Sequence, residues 1–386
     1  MRILVTTDQW SPDLVGGSAR VAADTARALA RRGHEVVAVA PAAAEMPRVT
    51  FEEGVEVHRV VRRGPFPQTF ADPILTRRAV RPLLGRGFDV ALTHQATNGS
   101  GLAGLGLPQA AVFHASAVLE MRFLRERVGG TRALVARGLD PALVRLERRW
   151  LSAAGKHLVL SRFSAGLLRR EHPSLSDRVA VVGGGVDDSF FAPPKESASV
   201  LRERLEIRPG VLLFTARRLE PRMGVHVLVE AIRRLDGQDV VLAVAGDGPE
   251  RAGLAEQVER AGLRGQVILL GRVSEADLRG LYAAADLFVL PTVAYEGFGM
   301  STVEALAQGT PALGTDVGAT PEILSDLGAD FVVPHGDADA LAAGVARLLP
   351  MLGPELRARA RALAVERYSW DNAIVRWEEA IRGAMH

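Results

Sequence analysis

The chain has 386 residues, which is too long for one ordinary core and suits two domains of somewhat under 200 residues each. With 48% hydrophobic and 24% charged residues it has the composition of a soluble globular protein, which excludes a disordered or low-complexity chain. The absence of cysteine excludes disulfides, thiolate zinc sites and a cysteine nucleophile. The amino terminus resembles neither a signal peptide nor a membrane anchor, so we expect a cytoplasmic protein.

The net charge is only +2, but it is unevenly distributed: residues 1–195 carry +9 and residues 196–386 carry −7. Seven arginines of the first half cluster with only Asp72 to offset them: Arg59, Arg62, Arg63, Arg77, Arg78, Arg81 and Arg86. Such a cluster could hold an anionic acceptor or an acidic lipid surface, which would place the protein peripherally at the inner membrane surface. The alternative is a set of solvated helix faces in an arginine-rich chain. We expect no nucleic acid partner, because no aromatic residues are interleaved with the arginines.

In the first half, continuous apolar runs alternate with helical patterns. The runs predict strands at residues 3–6, 35–40, 90–93, 110–113, 158–160 and 179–182, with helices at 17–32 and 118–154. Because these strands are apolar along their whole length, we expect a parallel sheet that helices cover on both faces.

The second half repeats the pattern. It predicts strands at residues 212–215, 240–245, 267–270 and 287–290 and helices at 225–235, 250–261 and 275–284. The chain is therefore predicted to be an α/β protein with two doubly wound, Rossmann-like domains.

The boundary between the domains is predicted at the paired prolines of residues 193 and 194, where the charge balance also changes sign. This gives an N-terminal domain over 1–193 and a C-terminal domain over 194–369, followed by an amphipathic helix in the segment 370–386. Ligands of such sheets bind at the carboxyl ends of the strands, so two facing sheets would create a deep cleft between the domains.

One segment carries most of the functional information: Glu296-Gly-Phe-Gly-Met-Ser-Thr-Val-Glu304, which follows the predicted strand at 287–290. A helix that opens near Met300 or Ser301 would leave its first amide N–H groups without intrahelical partners, which favours a diphosphate. The residues expected to contact it are Gly297, Phe298, Gly299, Met300, Ser301 and Thr302. Glu296 in the loop and Glu304 one turn into the helix can accept hydrogen bonds from sugar hydroxyls.

This segment resembles a motif of the retaining glycosyltransferases of family 4, in which seven residues separate two Glu residues. These enzymes have the GT-B fold and include phosphatidylinositol mannosyltransferases. The resemblance implies that Glu296 contacts the donor sugar and that Glu304 binds the ribose of the nucleotide. It also implies that the terminal helix crosses back to the N-terminal domain.

His114 follows the strand at 110–113 and therefore lies at the edge where such a sheet binds its ligand. It resembles the family's active-site histidine, which bonds a hydroxyl of the transferring sugar. His94 occupies the same end of the preceding strand, and we predict that it packs in the fold rather than touching the acceptor. Gly16 and Gly17 open the first helix, and the family uses this loop at the donor diphosphate and the acceptor.

The segment at residues 214–224 resembles the family's Gly-Arg-Leu…Lys-Gly element, whose two cations clamp the diphosphate. Arg218 matches the arginine. Met223 stands at the lysine position, so the second cation is unassigned, and the adjacent Arg222 is our candidate to replace it.

Two further segments at predicted strand ends resemble family elements around the nucleotide. One contains Gly246 and Asp247, and the other contains Arg272 and Val273. Asp337-Ala-Asp339 matches the sequence of a metal-binding motif, Asp-x-Asp. However, it begins a predicted helix, where aspartate caps free N–H groups. We therefore predict no metal ligands.

The resemblance implies an enzyme, a retaining glycosyltransferase that needs no cofactor. It would move a hexose from a UDP- or GDP-type donor to an acceptor hydroxyl of a glycan, lipid or natural product. The main alternative is a nucleotide-sugar epimerase of the same fold. A phosphorylase is disfavoured because the chain has only Lys156 and Lys195 to hold pyridoxal phosphate. A dinucleotide dehydrogenase is disfavoured because neither half has Gly-x-Gly-x-x-Gly after its first strand. The remaining alternative function is that of a noncatalytic binding module.

Overall fold

The computed structural model describes residues 1–11, 16–42, 45–61, 68–116, 119, 121–123, 130–235 and 237–386. The chain divides into two compact units. The first unit contains residues Met1–Gly185 and Trp370–His386, and the second contains Val186–Ser369.

The first unit is built on an eight-stranded sheet. Its strands are β1 (Arg2–Thr6), β2 (Glu35–Ala42), β3 (Val49–Glu52), β4 (Val55–Val61), β5 (Val90–His94), β6 (Gln109–Val112), β7 (Lys156–Val159) and β8 (Val179–Val181). They lie in the order β3-β4-β2-β1-β5-β6-β7-β8, in which only β3 is antiparallel to its neighbour. The parallel part has the Rossmann order, which confirms the predicted fold class for this half.

The helices described in the first unit before residue 186 are α1 (Gly17–Arg31), α2 (Gln68–Val80), α3 (Ala96–Gly99), α4 (Gly130–Ala153) and α5 (Arg162–Glu171). One core cluster surrounds Phe113 and Trp150, and another surrounds Leu4 and Val37. The buried Trp150 indole donates a hydrogen bond of 2.7 Å to the Thr93 hydroxyl, which satisfies both polar groups inside the core. The predicted helix over 118–154 falls partly outside the described residues.

The β3–β4 hairpin was not predicted, and it changes the interpretation of the arginine cluster. Arg59 of β4 is only 8% exposed and donates hydrogen bonds to Thr50 and Glu52 of β3. Arg86 donates to both carboxylate oxygens of Glu56, at 2.8 and 2.9 Å. These cations are neutralised within the fold, which weakens the case for a basic binding surface.

Other members of the cluster differ in their surroundings. Arg77 donates to the backbone carbonyls of Gly101 and Ala103, while Arg78 and Arg81 are exposed. Arg62 and Arg63 lie outside the described residues.

The second unit is built on a six-stranded parallel sheet. Its strands are β9 (Val211–Ala216), β10 (Val240–Ala245), β11 (Val267–Gly271), β12 (Leu287–Leu290), β13 (Ala312–Thr315) and β14 (Val332–Val333). Their order is β11-β10-β9-β12-β13-β14, again the Rossmann order. The order reverses between β9 and β12, so the carboxyl ends of these two strands mark the expected ligand site.

The described part of this unit contains eight α-helices. They are α6 (Ala198–Arg204), α7 (Val225–Arg234), α8 (Arg251–Arg260), α9 (Glu275–Ala284), α10 (Met300–Ala307), α11 (Thr320–Leu324), α12 (Ala338–Leu348) and α13 (Pro354–Tyr368). Asp337 caps α12, because its side chain accepts hydrogen bonds from the amides of Asp339 and Ala340. This is the capping role predicted for the Asp-Ala-Asp sequence.

The terminal helix α14 (Trp370–Arg382) packs against the first unit. Glu378 accepts hydrogen bonds from Arg32 at 3.1 Å and from His34 at 3.0 Å. The Arg32 hydrogen bond is the largest cause that lowers the Glu378 pKa to about 2. Trp377 adds a hydrogen bond of 2.9 Å to the Gly183 carbonyl, so both charge and packing hold the helix in place.

The second unit begins at residue 186, eight residues before the predicted boundary. The reason is packing: the Phe190 ring lies 6.1 Å from the Tyr282 ring, centroid to centroid. Arg361 donates a hydrogen bond of 2.6 Å to the Phe191 carbonyl, and Gln308 donates one of 3.2 Å to the Ala192 carbonyl. The segment before the prolines is therefore part of the second unit.

A buried histidine makes the stability of the fold sensitive to acid. His157 of β7 is fully buried, and neither ring nitrogen has a hydrogen-bond partner among the residues that the structure describes. Burial lowers its pKa from 6.5 to about 4. Between these values the unfolded chain binds more protons than the folded one, so the free energy of unfolding falls as the pH decreases.

We predict that His157→Leu removes up to about 1.4 kcal/mol per pH unit from this acid-induced loss. Urea unfolding at pH 7, 6 and 5 measures the effect. A His386→Gln control, at the exposed terminal residue, should keep the wild-type slope. An unchanged slope in His157→Leu would mean that this imidazole does not drive the acid sensitivity.

Candidate functional site

The loop after β12 ends in the predicted helix N-terminus. Gly299 adopts φ 99°, and α10 begins at Met300. The first backbone hydrogen bonds into the helix come from the amides of Thr302 and Val303, which both donate to the Gly299 carbonyl. The amides of Met300 and Ser301 precede them, in the position that binds anions at helix N-termini.

The same loop is attached to its neighbours through its backbone. The amides of Val293 and Ala294 donate to the Arg222 carbonyl at 2.9 and 3.2 Å, and the Ala319 amide donates to the Glu296 carbonyl at 2.8 Å. Tyr295 has φ 61°, an uncommon conformation for a residue with a side chain. The backbone around Glu296 is therefore fixed by the structure on both sides of it.

Glu296 is the central acid of this loop. Its Oε2 atom accepts hydrogen bonds from Arg217 at 2.9 Å and from the Thr292 hydroxyl at 3.3 Å. Among the described residues both bonds converge on Oε2, so Oε1 is the oxygen that a ligand hydroxyl can approach. The side chain is 14% exposed.

Arg217 is the site residue that the sequence analysis missed. Its side chain is 6% exposed and faces Glu296, whereas the side chain of Arg218 is 64% exposed, with its Nε atom 3.4 Å from Glu220. Arg222 lies between these extremes and donates from Nε to Glu220 at 3.3 Å. Adjacent side chains of an extended segment point in opposite directions, but the sequence does not say which arginine points inward.

Glu304 lies deeper than the sequence analysis expected. It is 5% exposed, and its Oε2 atom accepts a hydrogen bond of 2.9 Å from the Tyr282 hydroxyl. The Tyr282 ring packs against Phe214 and Phe288, with centroids 5.2 and 5.5 Å away. The aromatic core of the second unit therefore fixes the orientation of this carboxylate.

Phe298 and Thr302, both expected at the phosphate, are buried as well, at 7% and 0% exposure. The Phe298 ring meets the Tyr368 ring edge to face, 5.9 Å between centroids. These side chains pack inward, so the contact of this segment with a ligand would come from its backbone, Gly297 included.

The loops after β9, β10 and β11 are connected by backbone hydrogen bonds. Leu219 donates to the Asp247 carbonyl at 3.0 Å, and Gly246 donates to the Gly271 carbonyl at 2.7 Å. A Cβ atom at Gly246 would overlap the Arg217 carbonyl oxygen, which explains the glycine. Asp247 and Arg272 are exposed with 4.0 Å between their charged groups, and Val273 is partly exposed.

In the first unit, the candidate residues lie at the ends of β1, β5 and β6. Gly16 precedes α1, and its carbonyl accepts the first helical hydrogen bond, from Arg20 at 3.0 Å. Gly17 is the first residue of α1, while residues 12–15 of the same loop lie outside the described residues. The sheet order reverses between β1 and β5, so these glycines lie at the switch point of this sheet.

His94 and His114 form a pair. His94 Nδ1 lies 3.0 Å from His114 Nε2, and the two rings are stacked with centroids 5.3 Å apart. Burial lowers the His114 pKa to about 4, and burial followed by the charge of His114 holds the His94 pKa well below 6.5. Both rings are therefore neutral near pH 7, and one donates its N–H to the other. His94 packs in the fold, as predicted, but it also orients His114.

One group of three potential metal ligands exists among the described residues: Glu147, Glu171 and His172, whose ligand atoms lie within 4.8 Å of one another. His172 bonds Glu147 at 3.0 Å, and Ser116 donates to Glu171 at 3.2 Å. These bonds account for the cluster as part of the fold, and it is not among the residues predicted to form the site.

The whole chain resembles solved glycosyltransferase structures. Sucrose-phosphate synthase from Thermosynechococcus elongatus superimposes with a TM-score of 0.81 over 99% of this chain and 98% of the other, at 21% identity. The Anabaena protein Alr3699/HepE in complex with UDP-glucose gives 0.76 over 99% of both chains, at 19% identity. The fold is GT-B, as predicted.

Sequence comparison adds the family. A model described as glycosyl transferases group 1 matches residues 201–365, and one described as glycosyltransferase family 4 matches residues 15–190. The phosphatidyl-myo-inositol mannosyltransferase of Mycolicibacterium smegmatis is 29% identical over 97% of this chain and 93% of its own length. Further relatives with 30% identity align over 52–62% of this chain and 53–56% of their own lengths.

The chain therefore belongs to the group 1 glycosyltransferases of family 4, and it is a glycosyltransferase. These comparisons give no support to an epimerase. No helix in the described part of the chain is both long and apolar enough to cross a membrane.

The position of Glu296 depends on a glycine that allows close backbone contact. Gly318 has φ 62°, and a Cβ atom there would overlap the Glu296 carbonyl oxygen. Gly336 is a matched control in the same unit, because it has φ 70° but nothing within 4 Å of the added atom.

We predict that Gly336→Ala costs about 1–2 kcal/mol of stability through backbone strain alone. Gly318→Ala should cost a further 1–3 kcal/mol or so through overlap, and should also impair nucleotide release from a sugar donor. Urea unfolding and a release assay measure both effects. Equal losses in the two variants would show that the contact with Glu296 is unimportant.

Proposed function

We propose that the protein is a retaining glycosyltransferase that transfers a hexose from a UDP- or GDP-linked donor to an acceptor hydroxyl of a glycan, lipid or natural product. The observation that carries the proposal is the loop of the second unit, where Glu296 lies next to the N-terminus of α10 at the sheet's switch point. A carboxylate and an anion-binding helix terminus in this arrangement suit a sugar attached to a diphosphate.

The donor diphosphate would receive hydrogen bonds from the amides of Met300 and Ser301. Glu296 Oε1 would accept from a sugar hydroxyl, because Oε2 is already occupied by Arg217 and Thr292. Glu304, whose orientation is fixed by the hydrogen bond from Tyr282, would bind the ribose. Arg218, which is exposed, is able to turn towards the phosphates.

In this reaction the bond between the anomeric carbon and the phosphate oxygen breaks, and a bond from that carbon to the acceptor oxygen forms on the same face. The departing phosphate oxygen takes the acceptor proton. Negative charge accumulates on the diphosphate, so amides and guanidinium groups that are already in place lower the barrier. No cofactor or metal ion is required by this scheme.

The histidine pair would bind a hydroxyl of the reacting sugars. His114 is the outer member, and its hydrogen bond to the fully buried His94 fixes the direction of the ring. Because both rings stay neutral, His114 offers a hydrogen bond without placing a positive charge beside a forming oxocarbenium ion.

For the acceptor, a hydroxyl-bearing partner that is anionic or lipid-linked remains our proposal. The mycobacterial relative is named a phosphatidylinositol mannosyltransferase, and this supports a lipid acceptor. Arg59 and Arg86 form ion pairs within the first unit, which argues against a large basic surface there for binding a membrane. We therefore propose that the protein contacts a membrane peripherally, and only through the acceptor.

The test is a screen of UDP- and GDP-linked hexoses, mannose included, scored by release of the nucleotide diphosphate in the presence of candidate acceptors. We predict that Glu296→Gln and His114→Ala each lower release by a factor of about 100 or more. Glu259→Gln, at a half-exposed glutamate paired with Arg264, is the matched control and should stay active.

Two results would contradict the proposal. One is full activity in Glu296→Gln, and the other is the absence of binding to every donor in calorimetry, which would favour a noncatalytic module. Product analysis tests for epimerase activity, because an isomerised sugar that forms without any acceptor would identify that reaction.

The acid limb of the pH profile tests the histidine pair. Since burial lowers the His114 pKa to about 4, the neutral ring persists down to that pH and is lost only below it. We predict that activity declines with an apparent pKa of about 4 in pre-equilibrated, folded enzyme. A decline centred at 6.5 would show that the ring is solvated in the working enzyme.

A further inference from the structure

Strand β3, at the edge of the first unit's sheet, carries its apolar side chains in an unusual place. Phe51 and Val49 of this strand are 78% and 46% exposed. Their opposite neighbours on β4 are Glu56 and His58, which bond each other at 2.7 Å. Edge strands that stay in solvent normally carry charged side chains. Here the apolar side chains lie outside the polar ones, so this edge is suited to being covered by a partner.

The backbone of β3 is also ready to pair. The Arg59 amide donates a hydrogen bond of 2.7 Å to the Arg48 carbonyl, so the backbone groups of residue 48 point towards β4. This direction alternates along an antiparallel strand, and the N–H and C=O groups of Val49 and Phe51 therefore point away from β4. In the described sheet no strand lies on that side of β3. A further strand can accept and donate hydrogen bonds there.

The hairpin that presents this edge is held in place by the fold. Its turn consists of Glu53 and Gly54, whose φ values of 48° and 86° are both positive, as a two-residue type I′ turn requires. Glu52 accepts hydrogen bonds from the fully buried Trp10 indole at 3.0 Å and from the Thr50 hydroxyl at 2.8 Å. Because β3 is already ordered, it loses little conformational freedom when a partner binds.

The residues of this edge are complementary to a second copy of the same strand. Antiparallel pairing centred on Thr50 places Val49 of each copy opposite Phe51 of the other. Both residues direct their backbone groups outward, so each opposing pair exchanges two hydrogen bonds and joins two apolar side chains. The same register places the exposed Arg48 opposite Glu52, which is a pair of opposite charges. By symmetry each of these matches occurs twice.

We propose that β3 is a dimerisation strand, along which two copies of this chain pair antiparallel with Thr50 on the two-fold axis. The eight-stranded sheets of the two first units then continue into each other. Pro47 has no N–H group to donate and the turn follows at residue 53, so the paired stretch is short and the dimer is weak and reversible. Pairing uses the free side of β3 in both copies, and the assembly therefore closes at two chains.

Sedimentation velocity of the full chain tests the association. At concentrations from about 1 to about 300 µM, the average mass of the wild-type protein should rise from that of one chain towards that of two. Phe51→Lys should weaken dimerisation by a factor of about 10 or more, because it removes two apolar pairs and brings cations together near the axis. Arg48→Glu should weaken it as well, since like charges would then face each other at Glu52.

A matched control is available in the second unit. Val200 is an apolar residue of α6 that is 50% exposed, and Val200→Lys should dimerise as the wild type does. Thermal unfolding of each variant shows that it is folded. A loss of dimerisation in Val200→Lys equal to that in Phe51→Lys would place the interface elsewhere and overturn the proposal.

Cross-linking tests the register, because the chain has no cysteine of its own. Opposing residues of a hydrogen-bonded antiparallel pair have Cα atoms about 5.5 Å apart, which a disulfide can span. Val49→Cys and Phe51→Cys proteins should therefore form a mixed disulfide under mild oxidation when they are combined. Each variant alone should cross-link much more slowly, because its two cysteines would be offset by two residues along the paired strands, beyond about 7 Å.

Three results would overturn the proposal. The first is a wild-type protein that stays monomeric up to about 300 µM and whose cysteine variants give no mixed disulfide. The second is cross-linking of Phe51→Cys alone as fast as the mixture, which would exclude a register centred on Thr50. The third is a monomeric wild type whose β3 edge instead binds an extended peptide of another protein, which would assign this edge to a different partner.

Discussion

The site of the second unit depends on the backbone of one loop being held from both sides. The Arg222 carbonyl accepts from Val293 and Ala294 on one side, and the Glu296 carbonyl accepts from Ala319 on the other. Such contacts require glycine where two segments of the backbone approach each other closely, as they do at Gly224 and Gly318. Since a parallel sheet brings the carboxyl ends of its strands to one edge, residues far apart in sequence come together there, and the fixed backbone then orients Glu296.

The first unit uses side-chain contacts where the second uses backbone. His94 ends β5 and pairs in register with Val112 of β6, which places it beside His114 just beyond the strand. The two imidazoles then hold each other by one hydrogen bond in a buried position. In both units the candidate side chain has a less exposed partner: Arg217 for Glu296 and His94 for His114. The inner group fixes the direction of the outer one.

The sequence predicted most of the buried parallel strands. Apolar runs such as 240–245 and 287–290 are apolar on both faces of a strand, which is typical of a sheet covered on both sides. It missed β3 and β4, whose alternation of polar and apolar residues belongs to an edge hairpin, and the short β13 and β14. The predicted boundary failed for a similar reason: prolines end regular structure, but packing decides which unit a segment joins, and Phe190 packs on Tyr282. Glu296, His114 and the α10 N-terminus were predictable because each has a recognisable position at a strand end.

Arg217 was not predictable, and the cause is physical. A sequence motif specifies which residue type stands at each position along the chain. Electrostatic stabilisation depends instead on where the charge lies in space. Residues 217 and 223 are six positions apart, yet the Arg217 guanidinium and the Met223 sulfur lie 2.7 Å from each other. Departures from a motif at a strand-end loop should accordingly be examined together with the side chains that reach the same space.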